Sequence, residues 1–175
     1  MSDALQEEIE RLSRPPEPGN ALSGEAFSRP LEELFSKPAV SIDEADTVRR
    51  AVQVMNDNGF GAVLITRGGK LSGIFTERDV MAKLGELGAT FLDQPVSSVM
   101  TRNPISLRRD DAIVYVAHNM HVGGYRHVPI VDDEGRPVSI VSIKDVMRFV
   151  LSHFEEEVVN TVPEPYRGPV RIDGG

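Results

Sequence analysis

The chain has 175 residues, 40% of them apolar, which suffices for one ordinary domain or two small units sharing a core. A formal net charge of −8 excludes a general nucleic-acid binder, which needs clustered Lys and Arg, and the lack of cysteine excludes disulfides and thiolate chemistry. No apolar run approaches the roughly 20 residues of a membrane span, and the acidic start lacks the features of a signal peptide, so a soluble, cytoplasmic protein is expected.

Leu5, Ile9 and Leu12 follow helical spacing, and the run Arg14-Pro15-Pro16-Glu17-Pro18-Gly19 breaks it. Residues 1–33 therefore read as an N-terminal helix and Pro-rich linker. Beyond them the chain repeats itself. Val40-Ser41-Ile42 aligns with Ile105-Ser106-Leu107, 65 residues later. At the same offset Ala51, Val52 and Met55 lie over Val116, Ala117 and Met120, Gly59-Phe60 over Gly124-Tyr125, and Val63-Leu64-Ile65 over Val128-Pro129-Ile130. One extra residue enters at the turn Asp132–Arg136. Thr76–Met81 then lies over Ser142–Met147.

Each copy reads as a short extended piece, an amphipathic helix, two apolar strands and a second helix. The first helices are predicted over Thr47–Asn58 and Ala112–Val122, stopped by Gly59 and by Gly123-Gly124. The repeats are placed at 34–98 and 99–151, and 152–175 reads as a tail. Neither repeat buries a sheet face alone, so the fold class is α+β: two β-α-β-β-α repeats packed with pseudo-two-fold symmetry. Val48, Val52, Met55, Val116 and Met120 offer apolar surface for a homodimer.

Gly73-Ile74-Phe75-Thr76-Glu77-Arg78-Asp79 closes a strand and opens a helix, as does Ser139-Ile140-Val141-Ser142-Ile143-Lys144-Asp145. A Ser or Thr followed three residues later by an acid is a capping box. Both boxes also hold a basic residue, Arg78 or Lys144, where a strand meets a helix, a place suited to anions. Capping and ligand binding are compatible, because a carboxylate has several lone pairs.

With the strand Arg126-His127-Val128-Pro129-Ile130, these motifs resemble tandem CBS domains, the Bateman module, over about Leu34–Leu151. The resemblance implies a regulatory module, not an enzyme, that binds AMP, ADP, ATP or NAD-like adenosyl ligands in clefts between the repeats. AMP or ATP is the favoured ligand, no other cofactor is implied, and the regulated protein is not identified. The resemblance places the ribose on Asp79 and Asp145, with Thr76 and Ser142 beside sugar and phosphate. It places adenine against Pro104-Ile105 for the Asp79 site and against Ala39-Val40 for the Asp145 site. Phosphate at the Asp79 site falls to Arg126, His127 and Lys144, and at the Asp145 site mainly to Arg78. Ser139 stands where the family carries Gly, which predicts a crowded Asp145 cleft.

Two other readings stay open: a structural dimerisation module without ligand, and an enzyme, against which stands the lack of a P-loop, nucleophile elbow or Rossmann fingerprint. His118 and His121 are spaced for a metal but suggest no third ligand, so a plain helix face is the expectation.

Overall fold

The computed structural model describes residues 24–34 and 38–152. Residues Gly24–Met147 form one compact unit that carries both repeats. After a short helix α1 (Gly24–Phe27), repeat one runs β1 (Ser41–Asp43), α2 (Val48–Asn58), β2 (Ala62–Arg67), β3 (Lys70–Thr76) and α3 (Glu77–Leu87). Repeat two runs β5 (Leu107–Arg108), α4 (Ile113–Gly123), β6 (His127–Val131), β7 (Pro137–Ser142) and α5 (Ile143–Ser152). Between them β4 (Thr101–Arg102) joins the first sheet, whose order is β1-β2-β3-β4; the second is β5-β6-β7. In both sheets the first pair is parallel and the second antiparallel. The α+β fold class and the internal repetition of the sequence are thus both present in space.

β2 explains why its sequence is continuously apolar rather than alternating: it is buried on both faces. Val63 and Ile65 join Val48, Ala51, Met55 and Phe75 in the core beneath α2. Ala62 and Leu64 face the other way and meet Ile140 of β7. Each hairpin carries a bulge at the same place, between Ile65 and Thr66 and between Ile130 and Val131. The residues skipped opposite, Ser72 and Val138, turn their carbonyls to the chain that enters each cleft region: Ser72 O accepts from Asn103 N (3.1 Å) and Val138 O from Ala39 N (3.2 Å).

The helix ends follow from local chemistry. Thr47 caps α2 through its side chain, and Gly59 ends it at φ 63° in the left-handed region. α4 starts at Ala112, which has no side chain able to cap, and ends at Gly124.

The segment ahead of each repeat docks on the other repeat. Val96 N donates to Asp46 O (2.7 Å) and Val48 N to Gln94 O (3.0 Å). Sixty-five residues earlier, Leu31 N donates to Asp111 O (2.8 Å) and Ile113 N to Arg29 O (2.9 Å). These exchanges supply partners to N–H groups at the starts of α2 and α4. Leu31, which the sequence reading left in the linker, is buried here, as is Leu34 at the expected start of repeat one.

The apolar stripe assigned to a homodimer is corrected. Val48, Met55, Val116 and Met120 are at most 5% exposed, and Val52 packs on the same core as Val48. The stripe faces its own sheet, so it is spent on the fold. Exposed apolar side chains stand elsewhere: Met81 and Leu84 on α3, Met147 on α5, and Val114, Tyr115 and Val122 on the outer side of α4. Among the described residues no helix is long and apolar enough to cross a membrane.

Candidate functional site

The capping boxes form in both repeats. In repeat one Asp79 Oδ2 accepts from Thr76 N (2.8 Å) and Thr76 Oγ1 (2.7 Å), while Asp79 N donates back to Thr76 Oγ1 (3.3 Å). In repeat two Asp145 Oδ2 accepts from Ser142 N (2.9 Å) and Ser142 Oγ (2.6 Å), and Asp145 N returns a bond to Ser142 Oγ (3.4 Å). The reciprocal bonds satisfy donors at each helix start and fix the carboxylate's orientation. At Asp79 one oxygen does this work. The other makes no hydrogen bond among the described residues.

A cleft of about 490 Å³ opens at the N-terminus of α3. Seven residues singled out from sequence line it: Thr76, Arg78, Asp79, Pro104, Ile105, Arg126 and His127. Two residues fall elsewhere than the sequence reading expected. Arg78, expected opposite Asp145, stands in the Asp79 cleft, because it shares the first turn of α3 with Asp79. Lys144, expected in that cleft, is not part of its wall; it lies in the first turn of α5 beside Asp145.

Ala39, Val40, Ser142 and Asp145 also lie outside this cleft. Their surroundings are tighter. Ala39 donates its N–H to β7 and Val40 accepts from Leu64 N, so both backbones are used in the fold. Asp145 is 9% exposed and Ser139 1%. Ile105, the counterpart of Val40, is 55% exposed, an apolar side chain open to the Asp79 cleft.

The glycines explain part of the contrast. A Cβ at Gly73 would lie 2.3 Å from Met100 Sδ and 3.0 Å from Thr101 O, so glycine lets β4 close on β3. A Cβ at Gly61 would lie 3.2 Å from Glu77 Oε2 and 3.3 Å from His127 Cε1, so glycine there lets the His127 ring and the Glu77 carboxylate share one end of the cleft.

Arg78 and Arg126 are exposed and form no ion pair among the described residues, so two cationic forks line the cleft alongside the Glu77 and Asp79 carboxylates without being paired to them. His127 is held below the usual imidazole range. Burial is the main cause; Arg126 and Lys144 push the same way, and Glu77 and Asp145 oppose them. Glu77, Thr101, Asn103 and Tyr125 also line the cleft and were not singled out from sequence. Asn103 precedes Pro104, a turn signal that could have flagged it. Among the described residues no three His, Cys, Asp or Glu side chains gather to hold a metal, and His118 and His121 are exposed.

The cleft thus joins an apolar lip, a capped carboxylate and two free guanidinium groups. The profile of the CBS domain matches residues 31–86 and 96–152. The chain belongs to the CBS domain family. It is 27% identical over 182 residues to the CBS domain-containing protein CBSCBSPB3 of Arabidopsis thaliana, covering 89% of this chain and 33% of that protein. It is 31% identical over 118 residues to the mitochondrial CBS domain-containing protein CBSX3 of the same plant, covering 65% and 57%. The chain spans about a third of the length of the first of these relatives.

Among solved structures, the CBS-domain protein ATU1752 of Agrobacterium tumefaciens is similar with a TM-score of 0.62 and 30% identity, over 68% of this chain and 97% of that one. The CBS domain pair of protein MJ0100, solved with 5′-methylthioadenosine and S-adenosyl-L-methionine, is similar with a TM-score of 0.62 and 28% identity, over 68% and 97%.

Proposed function

We propose that this CBS pair is a regulatory module that binds an adenosyl ligand in the Asp79 cleft and passes the binding event to a partner protein. The observation that carries the reading is the meeting, in one cleft, of Asp79 with an unused carboxylate oxygen, the exposed apolar Pro104-Ile105 segment, and the unpaired Arg78 and Arg126. Each suits one part of the ligand. A carboxylate accepts from a vicinal diol, an apolar segment covers a purine face, and guanidinium forks hold phosphate. The adenosyl ligands in the similar MJ0100 pair support the same class. AMP and ATP fit the two arginines best, and the arrangement offers binding groups rather than a nucleophile.

Signalling would follow from differential affinity: a ligand touching both repeats favours one relative arrangement over another. Exposed Met81, Leu84 and Met147 favour a homodimer through the second helices, which is also the surface a ligand-free dimerisation module would use. Mass spectrometry of small molecules released from protein purified without added nucleotide tests the reading. An adenosyl compound is expected. An empty protein whose melting temperature is unmoved by millimolar AMP, ATP and S-adenosylmethionine would leave the dimerisation reading.

A further inference from the structure

Asn103 is the one non-glycine residue with positive φ (46°) among the described residues, and it lies in the wall of the cleft. Asparagine is among the few side chains that adopt this region readily. Its place is held from both sides. Its N–H donates to the bulge carbonyl of Ser72 (3.1 Å), and Pro104 follows it. A residue before proline ordinarily turns extended, so the positive φ here is held by the sheet edge against the preference that the ring sets. The backbone is thereby committed, while the carboxamide makes no hydrogen bond among the described residues.

The cleft wall is uneven in a way that orients a nucleotide. Arg78, Arg126 and His127 provide the cationic part, and Pro104 and Ile105, next to Asn103 in sequence, the apolar part. A carboxamide presents a donor and an acceptor side by side. Adenine presents their complements on one edge, the N6 amine as donor and N7 as acceptor. Hypoxanthine carries acceptors at both places, so only the donor half of the carboxamide can be used.

Resting on the adenosyl reading of this cleft, we infer that Asn103 is its base-reading residue: Oδ1 accepts from the adenine N6 amine and Nδ2 donates to N7, with Pro104-Ile105 against the ring. The repeat gives this a control built into the chain. Sixty-five residues earlier the position is Pro38, which has neither side-chain donor nor acceptor and is bridged to Ser139. Discrimination between purines therefore belongs to the Asp79 cleft alone.

The test is calorimetric titration of the full chain with adenosine and inosine, which share the sugar, lack phosphate and differ at the base edge. Wild type binds adenosine about tenfold tighter than inosine, the discrimination of one bidentate pair. Asn103→Gly keeps the positive φ without steric cost, so it removes only the carboxamide. Its adenosine affinity falls about tenfold and the preference collapses to near unity, with the ligand-free melt unchanged. Asn103→Asp keeps the acceptor, loses the donor, and binds inosine worst of the three proteins. Equal affinity of wild type for adenosine and inosine, or a preference undiminished in Asn103→Gly, overturns the assignment and leaves the adenosyl reading standing. Failure of wild type to bind adenosine, AMP or S-adenosylmethionine overturns both.

Discussion

Thr76–Asp79 and Ser142–Asp145 make the same three hydrogen bonds, 2.8, 2.7 and 3.3 Å in one repeat against 2.9, 2.6 and 3.4 Å in the other. Their surroundings diverge. Asp79 opens on a cleft with exposed Ile105 across from it, whereas Asp145 is 9% exposed and Val40, the counterpart of Ile105, packs into the core of repeat one. The box alone is helix-start chemistry common to both repeats; its neighbours decide whether its carboxylate can also meet a ligand. The same holds for the glycines. Gly73 admits β4, while Ser139 at the matching place is bridged to Pro38.

The largest expected difference between the repeats concerns stability. Phe75 is fully buried in β3, where repeat two has the smaller Val141. Phe75→Ala should cost about 3–5 kcal/mol in denaturant unfolding, and Val141→Ala clearly less. Equal costs would mean that the two sheets are equally loaded despite their different side chains.

Writing the residue of repeat two into repeat one gives the next effect. Gly73→Ser puts a Cβ against Met100 and the Thr101 carbonyl, so it should destabilise by about 1–3 kcal/mol. Because β4 leads directly to Asn103 and Pro104, the variant should also lose ligand-dependent stabilisation. A Gly73→Ser protein that melts and responds to ligand like wild type would break the argument that glycine is required there.

The pH dependence is smaller. Free His127 lies below its usual range, mainly through burial. A bound phosphate adds negative charge and raises it, so binding takes up a proton. The gain in affinity is full below the free-state value and is lost as pH rises through the bound-state value. Affinity for AMP should therefore rise by less than tenfold between pH 7.5 and 6, since one pKa unit is worth about 1.4 kcal/mol. The phosphate titrates in the same range, so His127→Gln supplies the baseline: the difference between the two pH profiles isolates the ring. Superimposable profiles would remove His127 from the phosphate end of the cleft.

The smallest effect tests the helix starts. α2 has the Thr47 cap and α4 begins at uncapped Ala112. Ala112→Ser should stabilise by about 0.5–1 kcal/mol, and Thr47→Ala should cost about as much, both read from thermal melts.

Much of this was legible in sequence, for physical reasons. The stripe Val48, Ala51, Val52 and Met55 marks a helix because every third or fourth side chain must face the sheet. That stripe was also where the reading failed: helical spacing shows that a face is apolar but not what covers it, and the cover is the chain's own sheet. The crossed segments were missed because Pro30-Leu31 has no period of its own. Extending the 65-residue offset upstream sets Pro30-Leu31 over Pro95-Val96 and would have revealed them. Thr76, Asp79, Pro104, Ile105, Arg126 and His127 were placed through a family resemblance, and the fold brings them together. Glu77 and Tyr125 carry no motif. They enter the cleft through the approach of β2 and β6 to the start of α3, which no local pattern encodes.

The central claim is that Asp79, and not Asp145, opens on the principal ligand site. It is tested most directly by titrating AMP into wild type, Asp79→Asn, Asp145→Asn and Arg126→Ala. Asparagine can still accept a bond at the cap but lacks the charge, so loss of binding is separated from loss of fold. Charge-assisted hydrogen bonds are worth about 1.5–3 kcal/mol, so Asp79→Asn and Arg126→Ala should each weaken binding roughly ten- to a hundred-fold, with Asp145→Asn near wild type. Wild-type affinity in Asp79→Asn and Arg126→Ala, together with abolished binding in Asp145→Asn, would contradict the account.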